Sequence, residues 1–353
     1  MKKAIIAMSG GVDSSVAAYL TLKEGYECIG ATMKLFNNDN TEIADKTCCS
    51  LEDVEDARQV ASRLGMPHYV FNFTAEFEEK VIKKFINAYE TGATPNPCID
   101  CNRYLKFEKM ITRMRELDFD YVVTGHYARI EEDGGRFLLK KAVDSSKDQS
   151  YVLYSMTQEQ LAHTLLPLGK YTKAEVREIA EENGFLNAKK HDSQDICFVP
   201  DGNYAGFIES YCGKQYPCGN FVDASGRILG EHKGIIKYTI GQRKGLGLSL
   251  PAPMYVLKKD IEKNEVVLCS NEELFSNELT ASEFNWIAFE NPPQSFKAKA
   301  KIRYNQTEED ALITVTGEKT VHVAFDKPQR AIAKGQAVVL YDGDVVIGGG
   351  TID

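Results

Sequence analysis

Long hydrophobic runs are missing from this sequence of 353 residues. No apolar stretch reaches the roughly 18 residues that a membrane-spanning helix requires, so we expect no membrane partner. The apolar stretch at 4–8 is also too short for the hydrophobic core of a secretory signal, and it predicts a first β-strand instead. Internal repeats and low-complexity segments are absent as well.

Basic residues are fewer than acidic ones, and the formal net charge is -9. This balance disfavours broad nonspecific binding to nucleic acid, although a local basic stripe can still bind phosphates. The chain contains nine cysteines. Without a secretory signal, they indicate a reducing compartment, where thiols are more often catalytic or metal-binding than paired in disulfides. We therefore expect a cytoplasmic protein.

The chain length predicts two or three domains. Up to about Gly125, β-branched runs alternate with segments of helical period, as in a parallel sheet covered by helices. From about Asn203, glycines become frequent and helical periodicity fades. We expect an α/β domain over 1–202, a small and mostly β linker domain over 203–275, and a C-terminal β-barrel over 276–353.

Periodicity also predicts individual elements. The predicted strands of the first domain are Ala4–Met8, Cys28–Met33, Tyr69–Phe73 and Tyr121–Thr124. Two helical faces are predicted, one from Leu51, Val54, Ala57, Val60, Ala61 and Leu64, the other from Phe77, Val81, Phe85, Ile86 and Tyr89. A further helix is predicted around Thr172–Asn183, ending at Gly184, and Asp342-Gly343 predicts a hairpin turn.

Two stretches in the second half are rich in basic residues. In 296–304 apolar residues alternate strictly with Lys297, Lys299, Lys301 and Arg303, which predicts a strand with one core face and one cationic face. The stretch 227–244 contains five Lys or Arg. Either stretch could bind RNA phosphates, and either could be an ordinary solvated surface.

The strongest single motif is Ser9-Gly10-Gly11-Val12-Asp13-Ser14-Ser15, which lies between the first predicted strand and a helical run. Paired glycines allow a tight turn, and the following amides point into the positive end of a helix, where phosphate binds. The Lys-Ser/Thr ending of a Walker loop is absent, so simple phosphoryl transfer is not supported. A purely structural turn, with Asp13 and Ser14 capping the helix, is the alternative.

A second informative segment, 94–102, contains Cys98 and Cys101. Its two prolines predict an extended approach, and Cys101 precedes a predicted helical run from Arg103 to Arg115. We therefore expect the Cys101 sulfur at a helix N-terminus, a location that favours the thiolate. A third thiol, Cys197, lies in the segment 192–198. Spacing alone does not bring these sulfurs together.

A structural metal site is the alternative for these thiols. Cys98 and Cys101 have the spacing of a zinc hook, and Cys48-Cys49 could add sulfur, although a second spaced pair is absent. The other cysteines, Cys28, Cys212, Cys218 and Cys269, are interpreted as buried or incidental thiols.

Six segments in order resemble the tRNA 2-thiouridylases of bacteria and mitochondria, which belong to the PP-loop ATP pyrophosphatases. The segments are Ser9–Ser15, Asn96–Asn102, Thr124–Arg129, Lys147–Tyr151, Ser193–Phe198 and Tyr238–Gly245. The resemblance covers nearly the whole chain, and the PP-loop is its most specific motif. It implies a first domain of the adenine nucleotide alpha hydrolase type and a sulfurtransferase that uses ATP and Mg²⁺.

The resemblance also implies particular site residues. ATP would be bound by Ala7, Met8, Ser9, Gly10, Gly11, Val12, Asp13, Ser14, Met33 and Gly125, with Asp13 in the magnesium and pyrophosphate region. tRNA would be bound by Asn96, His126, Lys147, Asp148, Gln149, Arg303, Tyr304 and Gln336. His126 could equally be a core histidine.

The implied chemistry takes place at C2 of the wobble uridine of tRNA. ATP adenylates the carbonyl oxygen, and sulfur then attacks C2. In the family, the residue matching Cys197 carries a persulfide received from a sulfur-transfer protein or cysteine desulfurase, and the residue matching Cys101 is the second catalytic thiol. Either Cys101 releases sulfide from the persulfide, or the terminal sulfur attacks and Cys101 resolves the adduct.

One position departs from the family pattern. Many members have an acid/base aspartate where this sequence has Cys98, which puts that role in doubt, and Asp100 is close in sequence. With Cys101 and Cys197, Cys98 makes three thiols that could hold an iron–sulfur cluster. The remaining alternatives are a PP-loop ATP pyrophosphatase that does not thiolate, and a nucleotide-binding regulatory protein without chemistry.

Overall fold

The computed structural model describes residues 1–36, 51–188, 190, 196–199 and 201–353. In these residues the α-helices are α1 (Val12–Lys23), α2 (Leu51–Arg63), α3 (Thr74–Phe77), α4 (Lys83–Glu90), α5 (Pro97–Asp100), α6 (Met110–Glu116), α7 (Gln158–Ala162), α8 (Lys173–Glu182) and α9 (Tyr204–Cys212). π-helical turns at Glu78–Ile82 and Cys101–Lys109 join α3 to α4 and α5 to α6. Short 3₁₀ turns lie at Ser150–Leu153, Pro167–Lys170, Ile235–Lys237 and Glu272–Leu274.

The strands are β1 (Lys3–Ala7), β2 (Glu27–Lys34), β3 (His68–Asn72), β4 (Tyr121–Val123), β5 (Ala128–Asp133), β6 (Arg136–Lys141), β7 (Thr164–Leu165), β8 (Gly219–Asp223), β9 (Ile228–His232), β10 (Tyr255–Asp260), β11 (Glu265–Cys269), β12 (Phe275–Trp286), β13 (Ser295–Lys301), β14 (Glu309–Gly317), β15 (Thr320–Arg330), β16 (Ala337–Asp342) and β17 (Val345–Ile352). None of the helices in the described part of the chain is both long and apolar enough to cross a membrane.

The N-terminal part is a parallel sheet with strand order β3-β2-β1-β4-β7. The four predicted strands are confirmed, with each end shifted by no more than one residue. The order reverses between β1 and β4, and in such sheets ligands bind beyond the carboxyl ends of the strands at this switch point. The sheet therefore directs the loops after β1 and β4 to one site.

The helices largely follow the predicted apolar faces. All five residues of the face from Phe77 to Tyr89 are buried in one hydrophobic cluster under the sheet. On α2, Ala57, Val60 and Ala61 are buried as predicted, but Leu51 is 78% exposed. Leu51 is the first residue of α2, so it lies outside the part of the helix that packs on the sheet.

The helix that carries the paired cysteines begins earlier than predicted. The predicted extended approach to a helix at Arg103 is wrong, because helical structure starts at Pro97. Proline is well suited to the first helical position, since its missing N–H would have no partner there. Cys98 consequently lies in the first turn, whereas Cys101 lies one turn further on, where the effect of the helix dipole has faded.

The middle part confirms the expected small β-rich unit. It begins with α9 and forms a four-stranded sheet of order β10-β11-β8-β9. Phe221 and Val222 on β8 and Val266 and Leu268 on β11 are buried. The predicted boundary at residues 202 and 203 stays a prediction.

The C-terminal part is a closed six-stranded barrel, as expected. Its order is β12-β15-β14-β13-β16-β17, and pairing of β17 with β12 closes it. Gly343 turns between β16 and β17 with φ +55°, so the predicted hairpin is confirmed. The hairpin β5-β6 from the N-terminal part extends the barrel sheet through the pair Val345 and Lys140. This contact across the predicted domain division was not predicted.

Candidate active site

The predicted phosphate loop connects β1 to α1 at the switch point. Gly11 caps the first turn of α1 and has no side chain to bond to it, so the amides there can receive an anion. The Ser14 and Ser15 hydroxyls each donate to the Gly11 carbonyl at 3.0 Å. Gly10 has φ +72°, and a Cβ atom there would lie 2.4 Å from the Asp53 carbonyl oxygen. Glycine is required at this point on both grounds.

The loop after β4 meets the phosphate loop directly. A Cβ atom on Gly125 would lie 2.8 Å from both the Asp13 carbonyl carbon and the Ser14 nitrogen. Just before the phosphate loop, the Met8 amide donates to Ala31 O at 2.9 Å. This bond pairs the end of β1 with β2, the strand that contains Met33. The structure thus brings together the predicted nucleotide-binding residues of the loops after β1 and β4, and Met33 lies on the neighbouring strand β2.

Asp13 is held by two residues that sequence reasoning did not single out. Lys173 Nζ lies 2.7 and 2.8 Å from the two carboxylate oxygens, and the Tyr127 hydroxyl donates to Oδ1 at 2.7 Å. Lys173 is the first residue of α8, directly after the capping box formed by Thr172 and Glu175. That capping box is visible in the sequence, and it was the available signal that places a lysine at a helix start.

The cysteine helix consists of α5 and the π-helical turn Cys101–Lys109. It is capped by Asn96, whose side chain accepts a hydrogen bond from the Cys98 amide at 3.2 Å. The Cys98 residue is exposed, whereas Cys101 is only 8% exposed. Asp100 bonds to Lys84 Nζ at 2.8 Å, and burial raises the pKa of its carboxyl against the lowering effect of Lys84. Because this segment is helical, Cys98 and Asp100 do not lie on the extended approach that the two prolines predicted.

Cys197 and Cys101 contact the same hydrophobic cluster. Cys101 is a buried member of this cluster, and Cys197 packs against it. Next to Cys197, the Phe198 ring lies 5.8 Å from Phe77 and 5.1 Å from Phe85. These two phenylalanines lie on the helical segment that packs beside α5. The segment carrying Cys197 is therefore anchored to the same layer of helices as the Cys101 segment.

The remaining cysteines were interpreted as buried or incidental thiols. Cys28 and Cys269 are buried, and burial raises the pKa of each thiol to about 11. Cys218 is exposed. The predicted contribution of Cys48-Cys49 lies outside the described residues. Within the described ranges, no group of three His, Cys, Asp or Glu side chains is placed to hold a metal ion, so the three-thiol cluster site is not assembled here.

Several residues predicted to bind tRNA are engaged within the protein. His126 is 8% exposed, and its Nδ1 lies 2.7 Å from the Thr124 hydroxyl. Burial, aided by Lys106, holds the pKa of His126 well below its usual range. The Asp148 carboxylate accepts from the Ala142 amide at 3.0 Å, and Gln149 Oε1 accepts from the Tyr127 amide at 2.9 Å. These last two side chains fix the loop that contains Lys147.

On the barrel, Tyr304 lies near Cys98 of the cysteine helix, and Arg303 precedes it in the chain. Tyr304 is 36% exposed and packs edge-on against Tyr151, with ring centroids 6.1 Å apart. Burial raises the pKa of the Tyr304 hydroxyl, and the nearby Asp148 and Cys98 raise it further. Arg303 Nη2 donates to Ala331 O at 2.7 Å. The predicted cationic strand therefore ends beside Cys98.

Gln336 connects the barrel to the segment before the cysteine helix. Its Nε2 donates to Thr94 O at 2.8 Å, and the Thr94 amide donates to Lys334 O at 2.8 Å. Two of the five basic residues in 227–244 are neutralised, since Arg227 pairs with Asp223 at 3.0 Å and Lys237 with Glu209 at 3.0 Å. The free surface charge of that stretch is smaller than its sequence indicates.

The chain matches three family models in order. The descriptions are tRNA methyl transferase HUP domain for residues 2–201, tRNA methyl transferase PRC-barrel domain for 205–270, and Aminomethyltransferase beta-barrel domain for 276–352. These matches agree with the three folded parts described above. Two of these descriptions name a methyl transferase, whereas the full-length relatives are named as 2-thiouridylases. Relatives that match over their full length are the better guide to activity.

Full-length relatives share about half of their residues with this chain. The tRNA-specific 2-thiouridylase of Clostridioides difficile is 52% identical over 100% of this chain and 98% of its own length. Those of Lachnoclostridium phytofermentans and Clostridium acetobutylicum are 51% and 52% identical, each over at least 99% of both chains. With its parallel sheet, switch-point loop and closed barrel matched throughout, the chain belongs to the tRNA-specific 2-thiouridylase family.

Proposed function

We propose that this protein is a tRNA-uridine 2-sulfurtransferase that adenylates the wobble uridine and replaces its 2-oxygen with sulfur. The observation that carries the proposal is the loop 9–15 at the switch point, with Asp13 held between Lys173 and Tyr127. The loop and the Lys173 ammonium suit the phosphates of a nucleoside triphosphate, and the Asp13 carboxylate suits the metal ion that accompanies them. Family membership supplies the thiolation of tRNA.

ATP would lie on the loop after β1, with its phosphates on the amides at the start of α1. Gly10 and Gly125 let the loop pack closely against its neighbours, because a side chain at either position would collide with backbone. Lys173 would neutralise phosphate charge. The proposed ATP contacts are the residues from Ala7 to Ser14 together with Met33 and Gly125.

Asp13 fits a magnesium ion that accompanies ATP. Mg²⁺ is usually bound by one or two carboxylates together with substrate phosphates, and the Asp13 side chain is 31% exposed at the loop. When bound, the ion would neutralise charge on the departing pyrophosphate. Lys173 and Tyr127 orient the carboxylate through their hydrogen bonds to it.

The C2 carbonyl of uridine is a poor electrophile, so its oxygen needs activation. In the proposed reaction that oxygen attacks the α-phosphorus of ATP, forming an adenylated uridine and releasing pyrophosphate. Sulfur then attacks C2, and AMP leaves with the original oxygen. The oxygen lost from the base therefore appears in AMP.

Cys197 would carry the sulfur, and Cys101 would release it. A sulfur-transfer protein or cysteine desulfurase would leave a persulfide on Cys197. In one route, the Cys101 thiolate attacks Cys197 Sγ and releases sulfide, which attacks C2. In the other, the terminal sulfur attacks C2 first, and Cys101 then attacks Cys197 Sγ to free the thiolated base. Both routes leave a Cys101–Cys197 disulfide that an external reductant must reopen.

The proposed tRNA contacts fall into two groups. Lys147, Arg303 and Tyr304 offer cationic or aromatic groups, as RNA phosphates and unstacked bases require, and Tyr304 lies near Cys98. Asn96, His126, Asp148, Gln149 and Gln336 hold the surrounding loops through internal hydrogen bonds. Any contact that this second group makes with tRNA would be added to those internal bonds.

The proposal is tested by measuring AMP and pyrophosphate formation from ATP with and without unmodified tRNA. We expect both products to form only when tRNA and a persulfide donor are present, with one AMP per thiolated uridine. ATP turnover that ignores tRNA would favour an ATP pyrophosphatase of another specificity. Iron and sulfide analysis after anaerobic purification serves as a parallel check, and full activity without iron is expected.

A further inference from the structure

The segment that follows α8 passes directly behind the phosphate loop. Asn187 in this segment is 5% exposed, and its Nδ2 atom donates to Gly10 O and to Ser15 Oγ, both at 2.9 Å. A carbonyl oxygen can only accept, so the amide orientation is determined by the Gly10 contact. No motif in the sequence pointed to Asn187.

The Gly10 contact controls the direction of the next amide. In a planar trans peptide, the carbonyl of one residue and the N–H of the next point in opposite directions. By holding the Gly10 carbonyl on the back of the loop, Asn187 directs the Gly11 N–H to the opposite side. Gly11 is the residue that caps α1, where an anion is expected.

The Ser15 contact fixes the other side of Gly11. The Ser15 hydroxyl accepts from Asn187 and donates to the Gly11 carbonyl at 3.0 Å. Asn187 therefore controls the peptide units on both sides of Gly11, one directly and one through Ser15. A loop held at two points loses less conformational entropy when a phosphate binds.

The segment that contains Asn187 is itself anchored. Arg177 Nη1 donates to Ala188 O at 3.1 Å and to Lys190 O at 3.3 Å. Lys190 Nζ lies 2.7 Å from Asp53 Oδ1 and 2.7 Å from Asp56 Oδ2 on α2. The Asp53 carbonyl is the group against which Gly10 packs.

The amide oxygen of Asn187 indicates that this side chain has a role other than stabilising the fold. Its Oδ1 is buried and has no hydrogen-bond partner in the described part of the chain. A buried unsatisfied oxygen is unfavourable, so a side chain chosen for packing alone would avoid it. The two bonds that Asn187 donates to the loop account for an amide at this position.

We propose that Asn187 is a positioning residue for ATP, holding the loop from Gly10 to Ser15 in its phosphate-binding conformation. The inference rests on the proposed binding of ATP at this loop. Asn187 contacts the loop on the face opposite to the expected phosphate site. Loss of Asn187 should therefore weaken ATP binding without altering the surface that would receive tRNA.

The test measures the Kd for Mg-ATP by calorimetry, and separately the Kd for tRNA, for the wild type, four single variants and the double variant that combines Asn187→Ala with Ser15→Ala. Asn187→Ala removes both bonds, Asn187→Asp keeps the shape but removes the donors, and Ser15→Ala removes one bond. Asn183→Ala is the matched control, because Asn183 Nδ2 also donates to a backbone carbonyl, Ile179 O at 2.8 Å, at the end of α8.

We expect Asn187→Ala to raise the Kd for ATP about 10-fold, as for the loss of two hydrogen bonds. Asn187→Asp should raise it further, because a carboxylate would face the Gly10 carbonyl. Ser15→Ala should have a smaller effect in the Asn187→Ala background than in the wild type. The control and the Kd for tRNA should stay within about twofold.

A Kd for ATP within twofold of the wild-type value in both Asn187 variants would overturn the inference and leave the proposed function intact. Equal weakening of ATP and tRNA binding would also overturn it, since that result indicates general misfolding. If the wild type itself binds no ATP, the proposed function and the inference fail together.

Discussion

Lys173 Nζ lies 2.7 and 2.8 Å from the two carboxylate oxygens of Asp13, although 160 residues separate them in sequence. Each residue lies in the first turn of its helix, α8 and α1 respectively, so the ion pair joins two helix N-termini. The Lys173 side chain is only 12% exposed. A cation held so firmly beside an anion-binding loop is a fixed part of the site.

Replacing Lys173 with Met should weaken ATP binding. Charge-assisted hydrogen bonds contribute about 1.5–3 kcal/mol, so we expect a roughly 10- to 100-fold rise in the KM for ATP. The affinity for tRNA should not change. Lys170→Met, which removes an exposed lysine before α8, is the control. An unchanged KM for ATP in the Lys173 variant would remove this residue from the site.

Gly10→Ala should destabilise the protein more than Gly25→Ala. Both glycines have positive φ, so each alanine costs about 1 kcal/mol of backbone strain. Only at Gly10 does the new Cβ meet backbone, 2.4 Å from the Asp53 carbonyl oxygen, whereas nothing lies within 4 Å at Gly25. Urea unfolding should show a loss of roughly 3 kcal/mol for Gly10→Ala. Equal losses for the two variants would show that the loop can move away from α2.

Cys101→Ser should abolish thiolation and leave ATP binding within about twofold of the wild-type value, because Cys101 lies on the cysteine helix rather than the phosphate loop. Thiolated product is quantified under reducing conditions. Cys218→Ser, at an exposed thiol of the middle part, is the control and should retain full activity. Normal turnover in Cys101→Ser would favour a PP-loop enzyme that needs no thiol pair.

His126 should make stability depend on pH. Burial keeps the pKa of His126 well below the ordinary value of 6.5, so the unfolded chain binds the proton more readily. Its contribution is therefore present above about pH 6.5 and is lost as the pH falls, by about 1 kcal/mol at pH 5.5.

The measurement compares urea unfolding at pH 7.5 and pH 5.5 for the wild type, His126→Gln and His322→Gln. The pH dependence should shrink in the His126 variant, and His322→Gln, at a partly exposed histidine on the barrel, controls for the loss of any histidine. Equal pH dependence in all three proteins would mean that His126 takes up a proton in the folded state.

Arg303→Ala should weaken tRNA binding and leave ATP binding unchanged. Arg303 lies at the end of the predicted cationic stretch, next in sequence to Tyr304, and removal of one phosphate contact lowers the salt dependence of binding by about one unit of slope. Lys319→Ala, at the β14–β15 turn on the barrel, is the control. An unchanged salt slope for Arg303→Ala would place the RNA elsewhere.

The parallel sheet, the barrel and the phosphate loop could be predicted because each leaves a short-range pattern. Alternation of apolar residues identified β13, and glycines after an apolar run identified the loop. Leu51 was misassigned because apolar period does not reveal where a helix stops packing. The start of the cysteine helix was misplaced because Pro97 was interpreted as extending the chain rather than as a first helical residue.

The residues that support the site could not be predicted, because they depend on contacts across long stretches of chain. Lys173 contacts Asp13 across 160 residues of sequence, and Asn187 contacts Gly10 across 177. The pairing of β6 with β17 joins two residues that are further apart still, Lys140 and Val345. Single-chain patterns report which face is buried, and they carry no information on which distant side chain completes a loop.

The most direct test of the account is mass analysis of the wobble nucleoside after unmodified tRNA is incubated with the protein, ATP, magnesium and a persulfide donor. We predict that sulfur replaces oxygen at C2 of that uridine, and that neither Cys101→Ser nor Cys197→Ser makes the product. A uridine that stays unmodified with active donor and intact tRNA, or a thiolated uridine made equally well by both variants, would contradict it.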